Sequence, residues 1–248
     1  MTSKLSMSNP IQEKTMQKNV FSGLRAPGLL AKQPMIGLIL FVFGSLMFAG
    51  LTLNLLAQGP LLEWDKVIAN TLPAIGLQSP AFVKDLMTAG FYLGKEVIGV
   101  LDILLGIYFL YKRYWQELTM VTIGWVGSAL LFFFLSTTIA RERPPTQIWI
   151  IVNIPGFPSG HATAVITFYG LMAYLLAPKM PSAFWKGVVI AAALAIIGFV
   201  GFSRIFTAGH YLTDILSGYA LGIAWFGVVY TLIEILFKRI RSTHVKKE

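Results

Sequence analysis

The sequence predicts an all-α membrane protein whose helices cross the bilayer six times. Hydrophobic residues make up 56% of the 248 residues and charged residues only 12%, whereas an average soluble domain is about 25% charged. The mean hydropathy is +0.69. Six apolar runs approach the roughly 20 residues that a helix needs to cross the hydrocarbon core. They cover residues 35–56, 97–111, 118–140, 161–176, 185–202 and 211–237.

The segment between the first two runs, residues 57–96, mixes apolar side chains with charges. This spacing is typical of amphipathic helices that lie at a membrane interface. We expect a lid that packs on the outer face of the bundle, with direct substrate recognition as the alternative. Residues 1–34 are polar, and no apolar run follows Met1 closely, so they predict a mobile basic tail rather than a cleaved signal peptide. Residues 35–238 then form the six-helix domain, and residues 239–248 form a second basic tail.

The positions of Lys and Arg predict the orientation of the chain. With a cytoplasmic N-terminus, fourteen of the 20 Lys and Arg residues fall on the cytoplasmic side and six on the outer side. Because positive charges accumulate on the cytoplasmic side, we expect both tails to be cytoplasmic. The net charge of +9 is then an orientation signal rather than a nucleic-acid footprint. The lack of cysteine excludes disulfides, thiolate catalysis and Cys-ligated metals.

Three polar clusters interrupt the apolar pattern, and the predicted topology places all three on the outer face. They are Arg-Glu-Arg-Pro at 141–144, Pro-Ser-Gly-His at 158–161, and the stretch 203–214. Ionisable side chains at a membrane edge are costly unless they are paired or used. We therefore expect one site assembled from distant parts of the chain.

A histidine and a carboxylate share one predicted helix face in the third cluster. His210 and Asp214 are four residues apart, about one helical turn. A carboxylate beside an imidazole fixes its tautomer and stabilises its cation, while a helix N-terminus keeps the ring neutral. Gly218 and Gly222 continue the same stripe, which predicts tight packing inside the bundle.

The other two clusters supply groups that suit a phosphate. Arg143 and Arg204 offer planar bidentate donors for phosphate oxygens. Ser159 and Gly160 form a small-residue turn that opens a helix and presents backbone N–H groups to an anion. His161 begins that helix and is placed to donate a proton to a leaving oxygen. Each residue alone has an ordinary interpretation, such as a snorkelling arginine, but their conjunction on one face favours a phosphate site.

At these residues the chain resembles the type 2 phosphatidic acid phosphatase superfamily of membrane lipid phosphatases. The pattern of that family has three parts: Lys-x6-Arg-Pro, Pro-Ser-Gly-His and Ser-Arg-x5-His-x3-Asp. The second part is complete at 158–161 and the third at 203–214. The first keeps its Arg-Pro pair at 143–144 but has Ser136 in place of the lysine. The motif resemblance covers 136–214, and the layout of six runs covers the rest.

The resemblance implies a phosphatase that works through a phosphohistidine, without a metal or other cofactor. His210 would attack phosphorus, and Asp214 would orient it. His161 would protonate the leaving group and then help to activate water, a contribution worth about 10²–10⁴-fold. Both arginines, Ser159 and the Gly160 amide would hold the phosphate oxygens.

Five further residues are candidates for the site. Ser136 stands in the lysine position, so another cation is needed to compensate for the missing charge in the phosphate pocket. Lys95 is the stronger candidate for this cation, and Lys84 is the weaker. The alternative is that neither lysine reaches the site and Ser136 simply forms a hydrogen bond. Asp102 lies inside the second run, so it is either functional or a carboxylate paired within the bundle. Ser203, the first residue of the third motif, is the last of these candidates.

The expected partner is a membrane lipid that carries a phosphate or diphosphate. Candidates are phosphatidate, phosphatidylglycerophosphate, undecaprenyl diphosphate and a lipid A phosphate, hydrolysed on the outer face of a bacterial inner membrane. A lipid hydroxyl acceptor would instead make the protein a phosphotransferase. A non-catalytic lipid-phosphate binder or transporter is the other alternative, although His161, His210 and Asp214 argue against it. The six apolar runs argue against a soluble vanadium haloperoxidase, and the sequence leaves the oligomeric state open.

Overall fold

A computed structural model of the chain describes residues 34–145 and 154–245, with side chains described for 35–145 and 154–236. Apart from Pro34, the predicted tail 1–34 lies outside these residues. Within the described ranges every regular element is helical. The eight α-helices are α1 (Pro34–Leu56), α2 (Leu61–Gln78), α3 (Ala81–Leu93), α4 (Glu96–Tyr111), α5 (Trp115–Ile139), α6 (Gly160–Leu176), α7 (Ala183–Phe206) and α8 (Leu212–Val245), with a 3₁₀ turn at Ala177–Lys179.

Five of the described helices are long and apolar enough to cross a membrane. They are α1, α5, α6 with its 3₁₀ extension, α7 and α8, and they match five of the six apolar runs. Helix α4 carries the sixth run, 97–111. It has 16 residues, which gives a length of about 24 Å at 1.5 Å per residue. Helix α8 continues to Val245, through most of the predicted C-terminal tail 239–248.

Helices α2 and α3 occupy the segment 57–96, and each buries one face. Helix α2 buries Asp65, Ala69, Pro73 and Gly76, which recur every three or four residues along one side. Helix α3 buries Met87 and Gly90. The two helices therefore pack on the bundle by a stripe of mostly small residues, and one of these, Asp65, is charged.

Helix α6 lies at the centre of the bundle, because it contributes to three buried apolar clusters. The first, between α5, α6 and α8, contains Met120, Leu171, Tyr174, Val229, Tyr230 and Ile233. The second, between α4, α6 and α7, contains Ile98, Val165, Phe168, Tyr169, Ile197 and Val200. The third contains Ala162, Ile205 and Ile215. Because these three residues directly follow His161, Arg204 and Asp214, the third cluster forms an apolar floor beneath the polar motifs.

Two glycines let α8 approach α6 very closely. A Cβ atom on Gly218 would lie 2.5 Å from the Ser159 carbonyl oxygen and 2.7 Å from the Cβ of Ala162. A Cβ on Gly222 would lie 2.7 Å from the Cβ of Ile166. Small residues allow this approach of helix backbones, so the tight packing predicted for this stripe is confirmed.

The alternating direction of the long helices gathers the motifs at one end of the bundle, here called the site end. Helices joined by short connections run antiparallel. The C-terminal ends of α5 and α7 therefore meet the N-terminal ends of α6 and α8. The opposite end carries the turn between α4 and α5 and the 3₁₀ turn after α6.

Candidate active site

The turn between α7 and α8 fixes two of the motif residues against each other. The N–H of Gly209 donates to the carbonyl of Arg204 at 2.9 Å, and the N–H of Ala208 donates to that of Ile205 at 3.0 Å. Ala208 has a φ of 52°. This pattern is a Schellman motif, and it carries the chain directly into His210, whose N–H also donates to the Arg204 carbonyl at 3.2 Å.

His210 lies between an arginine and a carboxylate. Its Nε2 is 3.0 Å from Nη1 of Arg143, and its Nδ1 is 3.4 Å from Oδ2 of Asp214. Because a guanidinium has no acceptor, this contact assigns the lone pair to Nε2 and the ring proton to Nδ1, and Nδ1 has no hydrogen-bond partner within the described residues. The same Asp214 oxygen accepts the N–H of Tyr211 at 2.9 Å. Asp214 therefore faces Nδ1, and the Nε2 lone pair lies on the other side of the ring from the carboxylate.

The surroundings of His210 keep its ring neutral. Burial lowers the pKa of His210 well below its usual range, and the charges of Arg143 and Arg204 act in the same direction. A backbone group of Gly156 opposes these effects. The ring is only 1% exposed. At neutral pH the contact between His210 and Asp214 is therefore one between a neutral imidazole and a carboxylate.

Arg143 is held in place by the loops around it. Its Nε donates to the carbonyl of Ile154 at 2.7 Å, and its Nη1 donates to that of Gly209 at 2.5 Å. Its Nη2 reaches the carbonyl of Pro155 at 3.4 Å. Burial lowers the pKa of Arg143, and Asp214 opposes that shift. These carbonyls hold the guanidinium against Nε2 of His210.

Arg204, which is buried, and His161, which is half-buried, lie side by side against one aromatic ring. The guanidinium of Arg204 lies 4.6 Å from the centroid of the Phe91 ring, and the His161 ring lies 4.8 Å from the same ring, centroid to centroid. Arg204 and His210 both act electrostatically on His161. Within the described residues, Nε and Nη1 of Arg204 and Nε2 of His161 have no hydrogen-bond partner. Buried donors without partners are costly, and an anion between these groups would satisfy them.

The first turn of α6 uses part of its hydrogen-bonding capacity inside the protein. Ser159 caps the helix, because its Oγ accepts the N–H of Ala162 at 3.4 Å. Its own N–H donates to the backbone carbonyl of Asp214 at 2.9 Å. The first N–H groups of a helix, here those of Gly160 and His161, have no acceptor within the helix. An anion at this turn is therefore met by these amides and the Ser159 hydroxyl, and not by the Ser159 N–H.

Two of the additional candidates bond to their own helices. The hydroxyl of Ser136 donates to the carbonyl of Phe133 at 3.2 Å, and Ser136 is buried. The hydroxyl of Ser203 donates to the carbonyl of Val200 at 2.7 Å. The structure therefore directs neither hydroxyl at His210.

Lys95 and Asp102 lie at different depths along α4. Lys95 directly precedes α4 and is exposed, and its charge is among those that act on His161. It follows Gly94, where a Cβ would lie 2.9 Å from Cδ2 of His161. Asp102 is buried, and its Oδ2 has no partner among the described residues. It lines a small cavity with Thr167, more than one helical turn beyond His161 along α6.

A charged network beside the site was missed by the sequence analysis. Nη1 of Arg141 donates to Oδ1 of Asp214 at 2.5 Å and to Oγ1 of Thr213 at 2.7 Å. Its Nη2 donates to Oδ2 of Asp65 at 2.8 Å. The Asp65 carboxylate also accepts the N–H of Thr213 at 2.9 Å and its hydroxyl at 2.5 Å. The guanidinium lies over the Tyr211 ring, 4.2 Å from its centroid.

One signal for this network was present in the sequence. Asp65 lies on the same face of α2 as Ala69 and Pro73, the face that packs on the bundle. A carboxylate on a buried stripe is rarely left unpaired. Phe91 gave no comparable signal, because an aromatic residue on an amphipathic helix is most often simple packing surface.

Two histidines, an aspartate and several arginines, gathered at one end of a bundle of membrane-spanning helices, define a class of protein, the integral membrane phosphatases. The chain belongs to the PAP2 superfamily, whose sequence profile matches residues 103–238. The family expected from the three motifs is therefore confirmed.

The relatives and a solved structure support the same class. The chain is 28% identical to phosphatidylglycerophosphatase B of Bacillus subtilis over 208 residues, which cover 82% of this chain and 97% of that protein. It is 28% identical to a lipid A 1-phosphatase of Rhizobium etli over 221 residues, which cover 72% and 90%. The crystal structure of a PAP2 type phosphatidylglycerolphosphate phosphatase from Bacillus subtilis has a TM-score of 0.65 and 27% identity, covering 78% of this chain and 93% of that one. The protein is therefore an integral membrane enzyme of the lipid phosphatase type.

Proposed function

We propose that the protein removes phosphate from a membrane lipid phosphate or diphosphate, without a metal, through a phosphohistidine formed on His210. The observation that carries this proposal is the state of that ring. His210 is buried and neutral, and its Nε2 lone pair faces Nη1 of Arg143 at 3.0 Å. Arg204 brings unpaired donors to the same site. A neutral imidazole beside unsatisfied guanidinium donors suits attack on a phosphate and has no purpose in simple packing.

Attack on phosphorus is the first proposed step. The phosphate oxygens take up the free donors of Arg204 and the first amides of α6, and one oxygen replaces Nε2 of His210 as the acceptor for Arg143. The Nε2 lone pair then forms a bond to phosphorus while the bond to the leaving oxygen breaks. His161, as the imidazolium, gives its proton to that oxygen. The Nδ1 proton stays on the ring, and Asp214 stabilises the positive charge that develops there.

Hydrolysis of the phosphohistidine is the second proposed step. His161, now neutral, accepts a proton from water, and the water oxygen bonds to phosphorus. The bond between phosphorus and Nε2 of His210 breaks and returns the lone pair to the ring. Inorganic phosphate leaves, and His161 is protonated again for the next cycle. Each histidine thus ends the cycle as it began.

The proposed topology has six spans, with α4 as the sixth. Helices α1 and α5 both end at the site end, so the chain must return to the opposite end between them. Helix α4 is placed to make this return, because its Ile98 packs in the cluster shared with α6 and α7. Its length of about 24 Å is accommodated by local thinning of the bilayer. Helices α2 and α3 then lie at the interface, and the bias of Lys and Arg puts the site end outside and both termini in the cytoplasm.

The substrate we propose is a lipid whose phosphate reaches the site end while its acyl chains stay in the bilayer. The two curated relatives are named for a phosphatidylglycerophosphate and a lipid A phosphate. Together with phosphatidate and undecaprenyl diphosphate, these lipids form the panel to test. The bacterial relatives favour a bacterial inner membrane.

Phosphate release by the purified protein tests the proposal. We expect release from at least one of the four lipids with a chelator present, an acid-labile phosphoenzyme in the wild type, and neither in His210→Ala. Loss of activity on chelation would contradict the metal-free mechanism. Transfer to an added lipid alcohol without release of phosphate would identify a phosphotransferase, and binding without turnover would identify a binder or transporter.

A further inference from the structure

The Asp65 carboxylate has no part in the steps proposed above, yet it is built into the site. It is 1% exposed and comes from α2, outside the five candidate spans. Its partners lie far along the chain, 76 residues away at Arg141 and 148 residues away at Thr213. Burying a charge is costly unless it is paired, and here every contact of the carboxylate leads to the residues around Asp214.

Asp65 supplies a cap that α8 lacks locally. The residue before α8 is Tyr211, which has no side-chain acceptor placed to cap the first turn. Oδ1 of Asp65 accepts the N–H of Thr213 in that turn at 2.9 Å. Oδ2 of Asp214, the third residue of α8, accepts the N–H of Tyr211 at 2.9 Å. The side chain at this helix position accepts the same N–H in a capping box. One half of this capping arrangement is therefore local, and the other half is donated by α2.

Asp65 also balances the charge of Arg141. The guanidinium lies between two carboxylates, with Nη2 on Asp65 at 2.8 Å and Nη1 on Asp214 at 2.5 Å. Asp214 thus has one oxygen committed to Arg141, and its other oxygen is 3.4 Å from Nδ1 of His210. The direction in which Asp214 faces His210 depends on where Arg141 is held, and Asp65 holds it.

We propose that Asp65 is a positioning residue for the phosphohistidine step. It holds Arg141 and the first turn of α8, so that Asp214 keeps one carboxylate oxygen facing Nδ1 of His210. Helix α2 is then part of the active site rather than a cover on it. The proposal rests on the proposed function, because it assigns Asp65 a role in the chemistry of His210.

The test uses Asp65→Asn in the full-length protein, with phosphatidate in detergent micelles as the probe. Asparagine keeps an oxygen for Thr213 but removes the charge that Arg141 needs. We expect kcat to fall about 10- to 100-fold, the range for removal of a group that orients an active-site ligand, with KM changed by less than about twofold. The rate of phosphoenzyme formation should fall by the same factor. Asp65→Glu, which retains the carboxylate, should recover part of the rate.

Glu63→Gln is the matched control. Glu63 lies on the same helix, is exposed, and pairs with Lys66 at 2.9 Å, so its kinetics should equal those of the wild type. If Asp65→Asn does not fold, Thr213→Val removes the hydroxyl between Asp65 and Arg141 and should also lower kcat at constant KM.

Each outcome of these experiments decides between the two proposals. Equal kcat for Asp65→Asn and Glu63→Gln in an active protein would overturn the positioning role alone. So would an Asp65→Asn variant that is less stable but keeps its kcat per folded molecule. If the wild type releases no phosphate from any lipid of the panel, the proposed function itself has failed.

Discussion

Replacing Gly218 by alanine should damage both stability and catalysis, because α6 and α8 touch at this point. The added Cβ would lie 2.5 Å from the Ser159 carbonyl oxygen and 2.7 Å from the Cβ of Ala162. Carbon atoms pack favourably at about 3.5–4.0 Å, so the first turn of α6 must move away by about 1 Å. The Ser159 N–H is tied to the Asp214 carbonyl on α8, which prevents an easy local adjustment.

The magnitude follows from these distances. Overpacking of this kind costs about 1–3 kcal/mol. The first turn of α6 carries His161 and the amides proposed to bind phosphate, whereas the start of α8 carries Asp214 next to His210, the proposed nucleophile. A misplacement of about 1 Å between such groups costs about 100-fold in rate. We therefore expect kcat of Gly218→Ala to fall by about that factor.

The assay compares Gly218→Ala with Gly198→Ala on α7. A Cβ on Gly198 meets nothing within 4 Å, so this control should keep its activity and gain up to about 1 kcal/mol from the better helix former. Phosphate release and thermal unfolding are measured in the same detergent. Wild-type kcat and stability in Gly218→Ala would refute the reasoning, because they would mean that the two helices separate without moving the site.

Two further predictions concern the charges around His210. Lys95→Ala should raise KM or lower turnover more than Lys66→Ala, by up to about fivefold, since an exposed charge contributes at most about 1 kcal/mol; equal kinetics for the two variants would contradict a role for Lys95. In a pH profile of kcat/KM, the acidic limb due to His210 should lie below pH 6.5, because burial lowers the pKa of His210 well below that of a free imidazole and the ring loses its lone pair only when the pH falls through the lowered value. Substrates whose phosphates have different pKa values should give this limb at the same pH, which assigns it to the enzyme. An enzyme limb at or above pH 6.5 would argue against a buried, neutral nucleophile.

The sequence predicted those features that depend on local pattern. Long apolar runs located the five candidate spans, because hydrophobic length alone marks a membrane helix. The spacing of His210 and Asp214 predicted that the two side chains meet, and they are 3.4 Å apart. They do not share a helix face, because His210 lies in the turn before α8 begins at Leu212. The hydrogen bond from the Ser159 N–H to the Asp214 carbonyl was not predicted, because it depends on how two separate helices pack.

Features that depend on packing between distant segments were not predictable from the sequence. The stripe on α2 indicates that Asp65 needs a partner, but no local pattern identifies Arg141 and Thr213 as its partners, because their contact requires α2 to fold back over α8. The same is true of Phe91, which lies against both His161 and Arg204. Both residues belong to the segment that was expected to be a lid, so the structure makes this segment part of the site wall.

The serine in the lysine position changes how the phosphate charge is met. Ser136 is buried and bonded to its own helix, so it adds no donor at His210. Arg143 donates to three backbone carbonyls. Its Nη1 also contacts Nε2 of His210. Arg204, in contrast, has three N–H bonds on two unpaired nitrogens. In the arrangement proposed here, Arg204 therefore carries most of the direct phosphate binding, and Arg143 acts mainly at the nucleophile, where it releases Nε2 of His210 only when a phosphate oxygen takes its place.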